Sequence, residues 1–124
     1  MAQHAADIAV LKVQPLGGVR ACLELADQLG LPVVVSSALE TSVGIRAGVA
    51  LAAALPELPF ACGLNTVPLL HDDVVRSPLV AHDGVIEVRD VEVIVRDQWQ
   101  PSAETRQWWL ERWQGLETDM RGPW

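Results

Sequence analysis

The chain has 124 residues, half of them apolar, and carries a formal net charge of −7. That is enough for one compact domain with a core of ordinary size, and too apolar for a disordered chain. The acidic balance excludes a nucleic-acid or anionic-membrane surface, because phosphate binding needs clustered positive charge and the arginines here form no basic run.

The N-terminal MAQHAADIAV lacks the basic region and long apolar segment of a secretory signal. No apolar run approaches the roughly 20 residues that span a bilayer. Cys22 and Cys62 sit inside apolar stretches, without the close pairing of a zinc site or a disulfide framework. A soluble, cytoplasmic protein with free thiols is expected.

In chain order, residues 7–14 (DIAVLKVQ) predict a strand, β-branched and apolar on both faces as in a covered parallel sheet. Pro15 and Gly17-Gly18 break it. Val19, Cys22, Leu23, Ala26 and Leu29 recur at a helical period, with Gly30 as the stop. PVVVSS (32–37) predicts a second strand, polar only at its C-terminal end. A helix follows, with Thr41 or Ser42 as N-cap, and ends before Pro56. Its alanine-rich stretch predicts burial over much of its surface. LPFACGL (58–64) predicts a third strand.

Lys12, Ser36 and Gly63 are spaced about 25 residues apart, short βαβ units that give right-handed crossovers and a parallel sheet. Residues 68–75 predict a short helix, and 84–95 one or two strands. Residues 102–116 predict a helix capped by Ser102, with Trp109 and Trp113 on one face. The segment from Glu117 to Trp124 reads as a loose tail. The division expected is 1–80 for the βαβαβ part and 81–124 for a Trp-rich extension.

In parallel α/β folds, sites gather at the C-terminal strand ends. Lys12, the Ser36-Ser37 pair and the Gly63-Leu64-Asn65 turn all fall there. Lys12 is the sole lysine of the sequence, placed within an apolar run where lysines are normally avoided. One reading is a packed stem with its amine in water. The other is an ammonium held beside an anionic or enolate-like intermediate. The serines either satisfy a strand-to-helix turn or bind a substrate carboxylate, aided by the helix N-terminus beyond. LGGV lacks dinucleotide-fingerprint spacing, and there is no Walker loop. His71-Asp72-Asp73 reads as a solvated polar turn more than a metal site, lacking a second ligand cluster. The tryptophans read as packing.

The strings LKVQPLGGV, PVVVSSALETSVG and FACGLNT, in this order and spacing, resemble the last three barrel strands of o-succinylbenzoate synthases of the enolase superfamily. SSALETSVG is the most specific of them, and the likeness covers residues 7–80. It implies a partial (β/α)8 TIM barrel, here an α/β fold covering about the last three strands. The implied activity is a Mg²⁺-assisted dehydration of a succinyl-hydroxycyclohexadiene carboxylate to o-succinylbenzoate, in menaquinone biosynthesis. In this family three carboxylates on the third to fifth strands hold the metal. A lysine on the second strand removes the proton, and one on the sixth faces it.

Lys12 matches the sixth-strand lysine. Ser36 and Ser37 match the positions lining the carboxylate end, and Gly63 and Leu64 the eighth-strand rim. The sequence starts at about the sixth strand and offers no counterpart for the metal ligands or the second lysine, so an inactive isolated chain is expected. Its open strand edge along DIAVLKVQ invites self-association or pairing with the missing barrel half. Two alternatives stand beside this. One is a related racemase or cycloisomerase. The other is a non-catalytic α/β interaction module, which predicts a closed monomer with Lys12 in solvent.

Overall fold

The computed structural model describes residues 5–120, with side chains described through Leu116. By its contacts the chain divides into two compact units, the first ending at Ile94 and the second beginning at Val95. The sequence places that boundary after residue 80. It lies further on because Val80, Ile86 and Val91 pack against the core and the Arg46 side chain donates to Asp90.

The first unit begins as the apolar patterning dictates. Strand β1 (Ala9–Lys12) pairs in parallel with β2 (Val33–Ser36), bringing Lys12 opposite Ser36. Helix α1 (Val19–Leu29) crosses between them. It ends at Gly30, whose φ of 59° is the left-handed cap that glycine adopts without strain. Helix α2 (Ser42–Ala54) follows and turns Ile45, Gly48, Val49 and Leu51 inward.

The core is Leu11, Val13, Cys22, Val33, Val35, Ile45, Val49, Leu51 and Leu64, with Val67 and Leu79 beside them. Each large aliphatic among these contributes about 1.5–3 kcal/mol by leaving water. One side of β1 pairs with β2, and Val10 on that strand stays 59% exposed.

The third expected strand is not formed. Of residues 58–64 only Gly63 joins the ladder, through an isolated parallel bridge to Ser36. Its N–H donates to Val35 O at 2.8 Å and its carbonyl accepts from Ser37 N at 3.0 Å. Pro56 and Pro59 offer no N–H to a ladder, and Leu58 and Phe60 remain exposed. The two formed strands are also shorter than expected at both ends.

Residues 68–75 hold a single 3-10 turn, Val67–Leu69, in place of a helix. Residues 84–95 form isolated antiparallel bridges, His82 with Val85 and Val75 with Val93, rather than strands. The second unit contains a 3-10 turn (Asp97–Trp99) and helix α3 (Ala103–Met120). Ser102 Oγ accepts from Thr105 N at 3.1 Å, the N-cap expected from the sequence. The loose tail expected from Glu117 is helical to Met120, and residues 121–124 lie outside the described residues. Among the described residues no helix is long and apolar enough to cross a membrane.

Candidate functional site

The site forms where β1 and β2 end together. The parallel register brings the Lys12 side chain beside the residue that follows β2, and its Nζ donates to Ser37 O at 2.6 Å. The amine therefore lies at the strand tips, half-buried, bound to the first turn of the β2–α2 connection. A fully solvated lysine, as the interaction-module reading requires, is not what the structure holds. Beneath it the buried Cys22 thiol of α1 approaches Lys12 O at 3.9 Å, and burial pushes that thiol's pKa up.

Ser37 is 6% exposed and committed on every side. Its N–H donates to Gly63 O, its carbonyl accepts from Lys12, and its hydroxyl pairs with Thr66 Oγ1 at 2.9 Å. Ser36 is half-buried, and its hydroxyl makes only a long contact of 3.4 Å to Ser37 O. Of the two serines, Ser36 has the freer hydroxyl.

Gly63 lies against it. A Cβ on Gly63 would meet Ser36 Oγ at 3.1 Å, so the glycine lets the two backbones and that hydroxyl coexist. Leu64, expected at the rim, is 5% exposed and packs into the core instead. A Cβ on Gly48 of α2 would stand 2.6 Å from Leu64 Cδ2, which shows how closely that side chain fills the helix surface. Packing consumes its side chain.

Four residues that the sequence reading gave no site role complete the arrangement. Thr66 holds the Ser37 hydroxyl. Gln14 Nε2 donates to Gly44 O at 3.2 Å, tying the end of β1 to the start of α2. Glu40 Oε1 accepts from Ala38 N at 2.7 Å. Asp73, read as part of a solvated turn, caps α2 from a distance. Its Oδ1 accepts from Ser42 N at 3.1 Å and from Val74 N at 2.8 Å, while Oδ2 accepts from the Ser42 hydroxyl. Thr41, at the N-cap position, makes no side-chain cap. Gln14, Glu40 and Thr66 each carried a sequence signal, their places inside LKVQPLGGV, SSALETSVG and FACGLNT; Asp73 lies 31 residues from Ser42 and carried none.

The chemistry available is a fixed cation at the mouth of a parallel sheet and a hydroxyl beside it, while the N-terminus of α2 is already taken by Asp73. The cation and the hydroxyl suit an organic anion. The donor set does not suit a divalent cation. Among the described residues no group of three or more His, Cys, Asp or Glu could hold a metal ion. Glu40 and Asp73 each spend carboxylate oxygen on backbone amides.

Residues 1–92 match the family model described as "Enolase C-terminal domain-like". The chain is 71% identical over 90 residues to an o-succinylbenzoate synthase of Thermobifida fusca, covering 73% of this chain and 28% of that protein. An o-succinylbenzoate synthase of Mycolicibacterium smegmatis is 53% identical over 114 residues, 88% of this chain and 34% of the relative. Among solved structures, muconate lactonizing enzyme from Pseudomonas putida matches with a TM-score of 0.63 and 27% identity, over 72% of this chain and 26% of that one. The chain thus spans about a third of the length of the curated relatives it matches.

Proposed function

The chain belongs to the enolase C-terminal domain-like family, and from that premise we propose that it supplies the closing strands of an o-succinylbenzoate synthase barrel. The observation that carries this reading is the Lys12 ammonium held at the strand tips by Ser37 O. The identity of 71% to a synthase supports that substrate class over the muconate lactonizing activity named for the structural neighbour.

On this reading the substrate is a small carboxylate. Removal of the proton beside its carboxylate leaves an enediolate, and loss of the hydroxyl group as water makes the ring aromatic. Lys12 places positive charge against that transient anion, and the attraction strengthens where the remaining barrel strands shut out water. The Ser36 hydroxyl orients the carboxylate end. The base is a second lysine, on a strand that the relatives carry in the rest of their length.

Mg²⁺, general in the superfamily, belongs to carboxylates on those same strands. The residues present here do not fit it, and no step is assigned to it. The isolated chain is therefore inactive. Its partners are the substrate and the remaining barrel strands, with no nucleic acid or membrane, and its location is the cytoplasm.

The test joins this chain to a polypeptide carrying the N-terminal two-thirds of the Thermobifida fusca synthase. With Mg²⁺, the pair forms o-succinylbenzoate and the chain alone does not. Lys12→Ala in the pair lowers turnover by roughly 10³-fold, the scale of losing one preorganised electrostatic partner. Turnover by the chain alone, or an unaffected Lys12→Ala pair, would refute the proposal.

A further inference from the structure

Two charged side chains hold opposite ends of one peptide group. The carbonyl of the Ser37–Ala38 peptide accepts from Lys12 Nζ at 2.6 Å, and its N–H donates to Glu40 Oε1 at 2.7 Å. There are no cis peptide bonds among the described residues, so this peptide is trans and its C=O and N–H point in opposite directions. The cation therefore sits at the negative end of the peptide dipole and the carboxylate at the positive end. Both contacts are charge-assisted and roughly twice as strong as neutral ones, and each polarises the group that the other uses.

The loop is shaped around this arrangement. Leu39, between Ala38 and Glu40, takes a φ of 70°, a left-handed conformation that costs a non-glycine residue of order 1 kcal/mol. That conformation lets Glu40 reach back to the amide two residues earlier. Gly44 makes room for it: a Cβ there would stand 2.4 Å from Glu40 Cβ. Glu40 Oε2 is buried with no hydrogen-bond partner among the described residues. That oxygen has no partner to offset its burial, so the carboxylate is held here by its one bond to the Ala38 amide.

We propose that Glu40 is a positioning residue for Lys12, fixing the ammonium through the Ser37–Ala38 peptide without touching the substrate. The catalytic meaning of this rests on the role given to Lys12 above, while the geometry can be tested without turnover. Without Glu40 the Ala38 end of this peptide loses its anchor, and the ammonium's acceptor is held only from the Ser37 side.

Lys12 is the only lysine, so in the ¹⁵N-labelled 124-residue chain its side-chain ammonium gives one unambiguous NMR signal. Two readings are taken: the exchange rate of that ammonium with water, and the proton shift of the Ala38 amide. In the unsubstituted chain the ammonium is protected and the amide lies downfield. Glu40→Ala speeds the exchange roughly tenfold and moves the amide upfield. Glu40→Gln, nearly isosteric and still an acceptor, gives intermediate values of both. Gly44→Ala, which displaces Glu40, reproduces the Glu40→Ala result although alanine favours the helix by about 1 kcal/mol.

An unprotected ammonium in the unsubstituted chain overturns the proposal. So does a Glu40→Gln chain indistinguishable from it in both readings, a comparison that stands even where Glu40→Ala fails to fold. Neither reading needs catalysis, so failure of the joined-polypeptide assay leaves this result intact, and failure here leaves that assay to be judged separately.

Discussion

The β1–α1–β2–α2 region and helix α3 are both rich in large apolar residues, yet they use them in opposite ways. Leu11, Val35, Ile45 and Leu51 are at most 3% exposed, whereas Trp108, Trp109, Leu110 and Trp113 of α3 are 47–63% exposed. In the first region the apolar residues share one face of a helix or belong to a covered strand. In α3 Trp109, Trp113 and Leu116 recur at a helical period on one side, yet all three stay exposed.

What α3 has instead is local: the Ser102 cap, a Gln107–Glu111 hydrogen bond at 2.8 Å, Arg112 over the Trp108 ring at 5.5 Å, and Trp108 edge-on to Trp109 with centroids 4.7 Å apart.

The sharpest way to break that contrast is by truncation on both sides of it. Leu51→Ala, at a fully buried position, costs about 3–4 kcal/mol in chemical denaturation, whereas Leu110→Ala costs less than about 0.5. Equal effects would show that α3 also has a core. Asp73→Ala comes next. It strips the N-terminus of α2 of its acceptors for the Ser42 amide and hydroxyl, leaves the Val74 amide of its own loop unpaired, and lowers stability by about 2–3 kcal/mol, with Asp73→Asn milder. Denaturant midpoints at constant slope read this out. Ser102→Ala costs α3 about 1 kcal/mol, visible as lost helical circular dichroism without a shift in the main unfolding transition.

The smallest effect is electrostatic. Arg76 hydrogen-bonds to Glu92 at 2.9 Å, and that hydrogen bond, with the Coulomb attraction beside it, pulls the Glu92 carboxyl below its ordinary value while raising Arg76. A depressed carboxyl contributes stability above its unfolded pKa, and loses it as pH falls through the folded one. Both side chains are solvent-exposed, so the contribution is slight and screened by salt. Glu92→Gln should lower stability slightly at neutral pH and leave it unchanged at acid pH, where the carboxyl is already protonated, so the acid limb flattens a little. A large change at neutral pH would contradict this.

Local patterning made the two strands, the two helices of the first unit, the Gly30 stop and the Ser102 cap legible. Lys12 stood out for its solitude in an apolar run, and SSALETSVG for its likeness to a known family. The third strand misread because an apolar run looks the same whether or not its prolines allow pairing. Leu64 misread because a rim residue and a core residue carry the same letter, and only the close approach of Gly48 distinguishes them.

The sequence alone thus determined the family, the β1–α1–β2–α2 order, and which residue would bring a cation to the strand tips, because these follow from near neighbours along the chain. The tertiary structure decided where that cation is fastened, which carboxylate caps α2 and which serine keeps the freer hydroxyl. Those contacts join residues 25 to 31 positions apart, and they exist only once the parallel register of β1 and β2 and the packing of α2 have set their distances.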